Sequence, residues 1–205
     1  ANLEHNLERI PRTKLLALEN TIGGKALPGS YFDQALALAK RRNLSTHLDG
    51  ARIFNAAVKL GVDAKALCRG FDTVSVCLSK GLGAPAGTLL LGSADLVKRA
   101  RRARKMLGGA MRQAGVLAAA GLYALENNVM RLADDHANAE CLALGLREAG
   151  FEVDGPHTNM VFVTAPPGFA DHLVNNEILV IAAPRMRLVT HLDVGADGIE
   201  RALAA

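Results

Sequence analysis

Two short stretches of the chain place reactive side chains where an apolar run ends. In Thr46-His47-Leu48-Asp49-Gly50-Ala51-Arg52 a carboxylate leaves an apolar strand beside a glycine, with an arginine close behind; in Val76-Cys77-Leu78-Ser79-Lys80-Gly81-Leu82-Gly83 a lysine leaves a strand into a glycine-rich loop. Open α/β sheets bind ligands beyond the ends of their strands, so polar residues stranded there carry the most functional weight. A lysine at the end of a buried strand is costly to desolvate, which favours the neutral amine that attacks an aldehyde. If that aldehyde is pyridoxal phosphate, its pyridine nitrogen needs an acidic partner to stay protonated; Asp49 is of that type, and Arg52 could reach the ring's phenolic oxygen. Each residue also has an ordinary reading: Asp49 as a helix N-cap, Arg52 as a surface helix residue, Lys80 as a solvated turn.

The elements that must position these residues alternate along the chain. Strand-length apolar runs are expected at Thr13–Leu18, Leu44–Leu48, Thr73–Leu78 and Thr88–Leu91, with helices near Tyr31–Arg42 and Ala51–Leu60. That alternation predicts a mixed, mostly parallel sheet flanked by helices. Ser93 is placed to cap a long helical region that runs from Leu96 to about Ala149, with a break near Gly108 and Gly109 and an Ala-rich stretch, Val116–Leu125, expected to pack tightly. Composition shifts at Gly150. Short strands are expected beyond it at Asn159–Thr164, Ile178–Ala182 and Arg187–His191, punctuated by Pro166, Pro167 and Pro184. The organisation expected is a large domain over 1–149 and a small C-terminal α/β domain over 150–205.

Composition limits the function classes. Of 205 residues half are apolar, which predicts a folded chain, and 24 Lys plus Arg against 20 Asp plus Glu give a net charge of only +4. The excess sits in one run, Lys98, Arg99, Arg101, Arg102, Arg104 and Lys105, read first as a solvated helix face; with no aromatic platform beside it, a nucleic-acid surface is disfavoured. No apolar stretch has the length of a membrane span, so no membrane partner is expected. Cys68, Cys77 and Cys141 are too widely spaced for a disulfide framework or a zinc site, which suits a cytoplasmic protein, and Cys68, Cys141 and His136 read as packing residues.

Taken together, the motifs resemble the low-specificity L-threonine aldolases, fold-type I pyridoxal phosphate enzymes of the β-eliminating lyase group. The resemblance runs through Pro11-Arg12-Thr13-Lys14-Leu15-Leu16, Leu18-Glu19-Asn20-Thr21, His47 to Ala56 and Cys77 to Pro85, then Arg104 to Gly109, Met111 to Gly115, Thr158-Asn159-Met160 and Arg187 to His191. It implies that Lys80 holds the cofactor covalently and is the catalytic lysine, that Asp49 partners the pyridine nitrogen, and that Arg52 neighbours the ring oxygen. Arg187 would bind the substrate carboxylate through its planar fork. Lys105 and Arg112 would reach an adjoining subunit's site near the cofactor phosphate and substrate, so a homo-oligomer, dimer or tetramer, is implied.

The implied reaction cleaves threonine, allo-threonine or another β-hydroxy-α-amino acid to glycine and an aldehyde. The same scaffold also supports β-elimination or racemisation, and a third reading makes the segment an inactive assembly module. Family members carry a large N-terminal segment before the Pro11-Arg12-Thr13 stretch, which supplies the phosphate cradle and a ring-stacking histidine. These residues are therefore expected to be a fragment or to be completed by a separate segment, and Glu200–Ala205 to end early in a last helix. Ile22-Gly23 stands where the family has His-Asn, and Arg9 where it has an active-site histidine, with His5 out of register; Ala110 replaces one glycine of a Gly-Gly-Gly run.

Overall fold

A computed structural model describes residues 12–205; His5 and Arg9, and the Pro11 that opens the first motif, lie outside them. In chain order the elements are β1 (Leu15–Glu19), α1 (Gly29–Arg41), β2 (Ser45–Asp49), α2 (Ile53–Leu60), α3 (Ala64–Leu67), β3 (Thr73–Cys77), β4 (Thr88–Gly92), α4 (Ala94–Met106), α5 (Gly115–Asn127) and α6 (Leu132–Glu148). They continue with β5 (Val153–His157), β6 (Met160–Thr164), α7 (Phe169–Asn175), β7 (Arg185–Val189) and α8 (Ala196–Ala204).

The first sheet has the order β1-β2-β3-β4, with β1, β2 and β3 parallel and β4 antiparallel to β3. Strand alternation sets its two faces. Leu48, Val74 and Val76 turn to one side and are buried with Phe32 of α1, Ile53, Ala56 and Ala57 of α2, and Leu67 of α3. Fully burying a side chain of Leu48's size contributes about 1.5–3 kcal/mol, so this covered face anchors the sheet. The opposite face carries His47, Asp49, Thr73, Ser75 and Cys77 and is more exposed.

The second sheet is antiparallel, order β5-β6-β7. Val161, Val163 and Met186 from this sheet share a core with Ala139, Leu142, Ala143 and Leu146 of α6, Leu173 of α7 and Ile199 of α8. A third cluster, Leu78, Leu82, Ala84, Ala124 and Leu132, lies under the loop after β3. α6 thus contributes to two cores. The sheets also touch directly: Thr158 Oγ1, in the β5–β6 turn, donates to the carbonyl of Gly24 at 2.8 Å. Gly24 has a φ of +84°, and a Cβ there would lie 2.3 Å from the His157 carbonyl oxygen. It closes a tight turn in which Ile22 and Lys25 exchange backbone hydrogen bonds of 3.1 and 2.9 Å.

Several expectations need correction. The stretch 178–182 forms no strand: Ile178 and Val180 pack on the second core while Leu179 and Ile181 face away, 87% and 84% exposed. The alternation is real, but no neighbouring strand pairs with it. The strand β5, Val-Asp-Gly-Pro-His, is unannounced by propensity and forms by pairing with β6 across an irregular register. The long helical region breaks twice, at 107–114 and again at 128–131. α5 does not pack tightly either. Only Gly121 and Ala124 are buried, and Val116, Leu122 and Tyr123 are 77%, 60% and 65% exposed, because one side alone of this uniformly apolar helix meets a neighbour among the described residues. Ser93 caps α4 as expected, accepting from Leu96 N. The last helix begins at Ala196, ahead of Glu200.

Candidate active site

Asp49 is the last residue of β2, and the parallel register sets it between Glu19 of β1 and Ser75 of β3. The three side chains form a polar row across the exposed face at the C-terminal ends of the parallel strands. Asp49 Oδ1 accepts from Ala51 N at 3.0 Å and from Ser75 Oγ at 3.3 Å. These two bonds hold the carboxylate plane, and its Oδ2 makes no hydrogen bond among the described residues. Arg52 caps α2 by position rather than by side chain and is half-buried. Burial and the neighbouring Arg187 push its guanidinium below the ordinary arginine value, with Cys77 and Glu19 pulling the other way. Arg52 is thus within electrostatic reach of Arg187, Cys77 and Glu19.

Lys80 follows β3 in a tight turn closed by Gly83 N donating to its carbonyl at 2.8 Å. Its side chain is exposed, contrary to the expected burial, because it lies past the strand end on the uncovered side of the sheet. Its charge reaches Cys77. Burial there opposes ionisation, but hydrogen bonding with Ser79 and Thr88 and the charge of Lys80 outweigh it and hold the thiol below its usual range. Asp49 closes β2, Arg52 opens α2 and Lys80 follows β3, so all three stand at the C-terminal ends of the parallel strands, with Arg187 within electrostatic reach of Arg52; the excess of positive charge there favours an anionic ligand. Lys105 and Arg112 stand apart: both are exposed, on the last turn of α4 and after it, and neither bonds to this cluster among the described residues.

Behind the Lys80 loop lies a polar layer that the motifs did not single out. Asn128 Nδ2 donates to Leu82 O at 2.8 Å, and Arg131 Nη1 to Gly81 O at 3.5 Å. Arg131 is also paired with Asp135, whose side chain is wholly buried. His136 Nε2 meets Asn55 Oδ1 at 3.0 Å; a carbonyl oxygen only accepts, so the ring nitrogen donates.

Burial pushes the Asp135 carboxyl up to about 6 despite the pull of Arg131, and burial with the charge of Lys59 pushes the His136 imidazole down to about 4. Asp135 thus holds a proton more readily folded than unfolded, so its contribution to stability is present below about pH 4 and lost as pH rises through about 6. His136 does the reverse, contributing above about pH 6.5 and losing that as pH falls through about 4. The two slopes oppose each other between. His136→Gln is expected to leave a protein whose urea midpoint declines less from pH 7 to pH 5 than the parent's, and Asp135→Asn one that declines more. An unchanged pH dependence in both variants would contradict these assignments.

The signal for Ser75 was within reach: Thr73, Ser75 and Cys77 alternate with Val74 and Val76, so one face of β3 is polar. What the letters lack is the register that puts Ser75 beside Asp49.

Residues 1–166 match the beta-eliminating lyase family. The chain belongs to that family. Among beta-eliminating lyase relatives, it is 50% identical over 197 residues to the low specificity L-threonine aldolase of Escherichia coli K12, covering 94% of this chain and 59% of that one. A probable low-specificity L-threonine aldolase 2 of Arabidopsis thaliana is 44% identical over 209 residues, covering 95% and 59%. The chain spans about three fifths of the length of these curated relatives. Two solved structures share the fold. A Leishmania major threonine aldolase has a TM-score of 0.78 at 21% identity, covering 93% of this chain and 59% of that one. A putative L-allo-threonine aldolase of Listeria monocytogenes has 0.74 at 23%, covering 96% and 61%. The mixed sheet flanked by helices is thus the fold-type I arrangement expected of a beta-eliminating lyase. Among the described residues no helix is long and apolar enough to cross a membrane.

Proposed function

We propose that the protein is a pyridoxal phosphate-dependent carbon–carbon lyase that cleaves threonine, allo-threonine or a related β-hydroxy-α-amino acid to glycine and an aldehyde. What supports this reading is a chain half identical to a threonine aldolase that sets Asp49, Arg52 and Lys80 at the C-terminal ends of its parallel strands, with Arg187 within electrostatic reach of Arg52. The donor set fits the cofactor: an exposed amine on Lys80, a carboxylate with one oxygen already fixed and the other open, and a guanidinium beside them. When bound, pyridoxal phosphate supplies an electron sink for the pair left at Cα as the Cα–Cβ bond breaks.

The residues of this chain bind and orient. Lys80 would offer the nitrogen that anchors the cofactor, Asp49 would keep a proton at the pyridine nitrogen, and Arg52 would neighbour the ring oxygen. Arg187 pairs with the substrate carboxylate in a fork that fixes the amino acid's orientation. Lys105 and Arg112, exposed and outside the cluster, are offered to the site of a second copy near phosphate and substrate, which makes the working form a homo-oligomer, a dimer or a homotetramer. A cytoplasmic location suits the three cysteines, which are all free thiols.

Product analysis tests the reaction. Incubation with threonine and pyridoxal phosphate is expected to yield glycine and acetaldehyde in equal amounts. Pyruvate and ammonia from serine, without glycine from threonine, would point instead to β-elimination on the same scaffold.

A further inference from the structure

The first turn of α6 touches both halves of the site. On one side it holds the loop after Lys80: Arg131 reaches Gly81 O at 3.5 Å, and a Cβ on Gly81 would lie 2.8 Å from Leu132 Cδ2 and 3.8 Å from Asp135 Oδ2. The loop backbone is pressed onto the helix. On the other side Thr190, just past β7 and close behind Arg187, donates its hydroxyl to the Asp135 carbonyl at 2.6 Å. Thr190 is itself fixed, since its N–H donates to Asn159 O at 3.1 Å and its carbonyl accepts from Asn159 Nδ2 at 2.9 Å.

Asp135 is wholly buried and paired with Arg131, and its Oδ2 has no hydrogen-bond partner among the described residues. Burying an ion pair costs desolvation that an apolar side chain of similar volume avoids, so the pair is a weak stabilising device. Its effect is geometric: the same guanidinium that pairs with Asp135 through Nη2 reaches Gly81 O through Nη1 at 3.5 Å. We propose that Asp135 and Thr190 are positioning residues: through the first turn of α6 they tie the Lys80 loop to the strand bearing Arg187, and so set the spacing between amine and guanidinium. This rests on the reading that Lys80 and Arg187 hold opposite ends of the bound amino acid and cofactor.

The coupling is testable by hydrogen exchange in protein without cofactor, a readout independent of the reaction. Thr190→Val, which removes the hydroxyl at nearly constant volume, is expected to speed exchange at the Gly83 and Ala84 amides about tenfold, and Thr190→Ser to keep them within about threefold of the parent. The β2 amides serve as internal reference. Acceleration confined to residues near 190, or equal acceleration in β2, overturns the proposal. If Thr190→Val fails to fold, Arg131→Gln reads the link in reverse: faster exchange at the Thr190 amide supports it, and a change confined to the Lys80 loop overturns it. Should the coupling hold while borohydride labels a lysine other than Lys80, the functional reading fails and the mechanical link stands.

Discussion

Borohydride reduction of the protein saturated with pyridoxal phosphate is expected to leave a pyridoxyl group on Lys80 and on none of the other seven lysines. Lys80 follows the C-terminal end of β3, where its charge acts on Cys77, and β3 runs beside the β2 strand that Asp49 closes. Lys80→Ala is expected to abolish the label and to lower kcat at least about a thousandfold, since an amine that anchors the cofactor has no substitute within reach. Peptide mapping decides the matter. A stoichiometric label on Lys105, or full labelling of Lys80→Ala, would remove the proposed chemistry.

Asp49→Asn is expected to lower kcat about a hundred- to ten-thousandfold while the protein still binds cofactor. The substitution keeps the side-chain shape and a carbonyl oxygen for Ala51 N and Ser75 Oγ, so the turn into α2 survives. It removes the negative charge that holds a proton on the pyridine nitrogen. The expected signature is a large loss in kcat with little change in urea midpoint. A variant within tenfold of the parent would show that Asp49 merely caps the turn, the ordinary reading it also has on sequence alone.

Much of this was legible before any coordinates. The alternation of Thr73, Ser75 and Cys77 with Val74 and Val76 marks a strand with one buried face, and Ser93 marks the start of α4, because these signals are local. The strand ends at Asp49 and Lys80 were readable for the same reason. What escaped depends on partners distant along the chain. The pairing of Ser75 with Asp49 needs the β2–β3 register, and the exposure of Lys80 needs knowledge of which sheet face is covered. Ile178–Ala182 has the pattern of a strand and lacks a neighbour, while β5 lacks the pattern and has one. Asp135 reads as one acid among several on a helix; only packing shows it buried against Arg131 and beneath Thr190.

The contact between Gly24 and the β5–β6 turn bears on how such sequences can drift. Any side chain at position 24 collides with the His157 carbonyl, whereas one at Gly29 meets nothing within 4 Å. Random mutagenesis should therefore leave position 24 invariant and scatter freely at 29. The turn at 157–158 inherits that restriction, because moving its backbone opens the bond from Thr158. Two segments more than a hundred residues apart are thus obliged to change together or not at all.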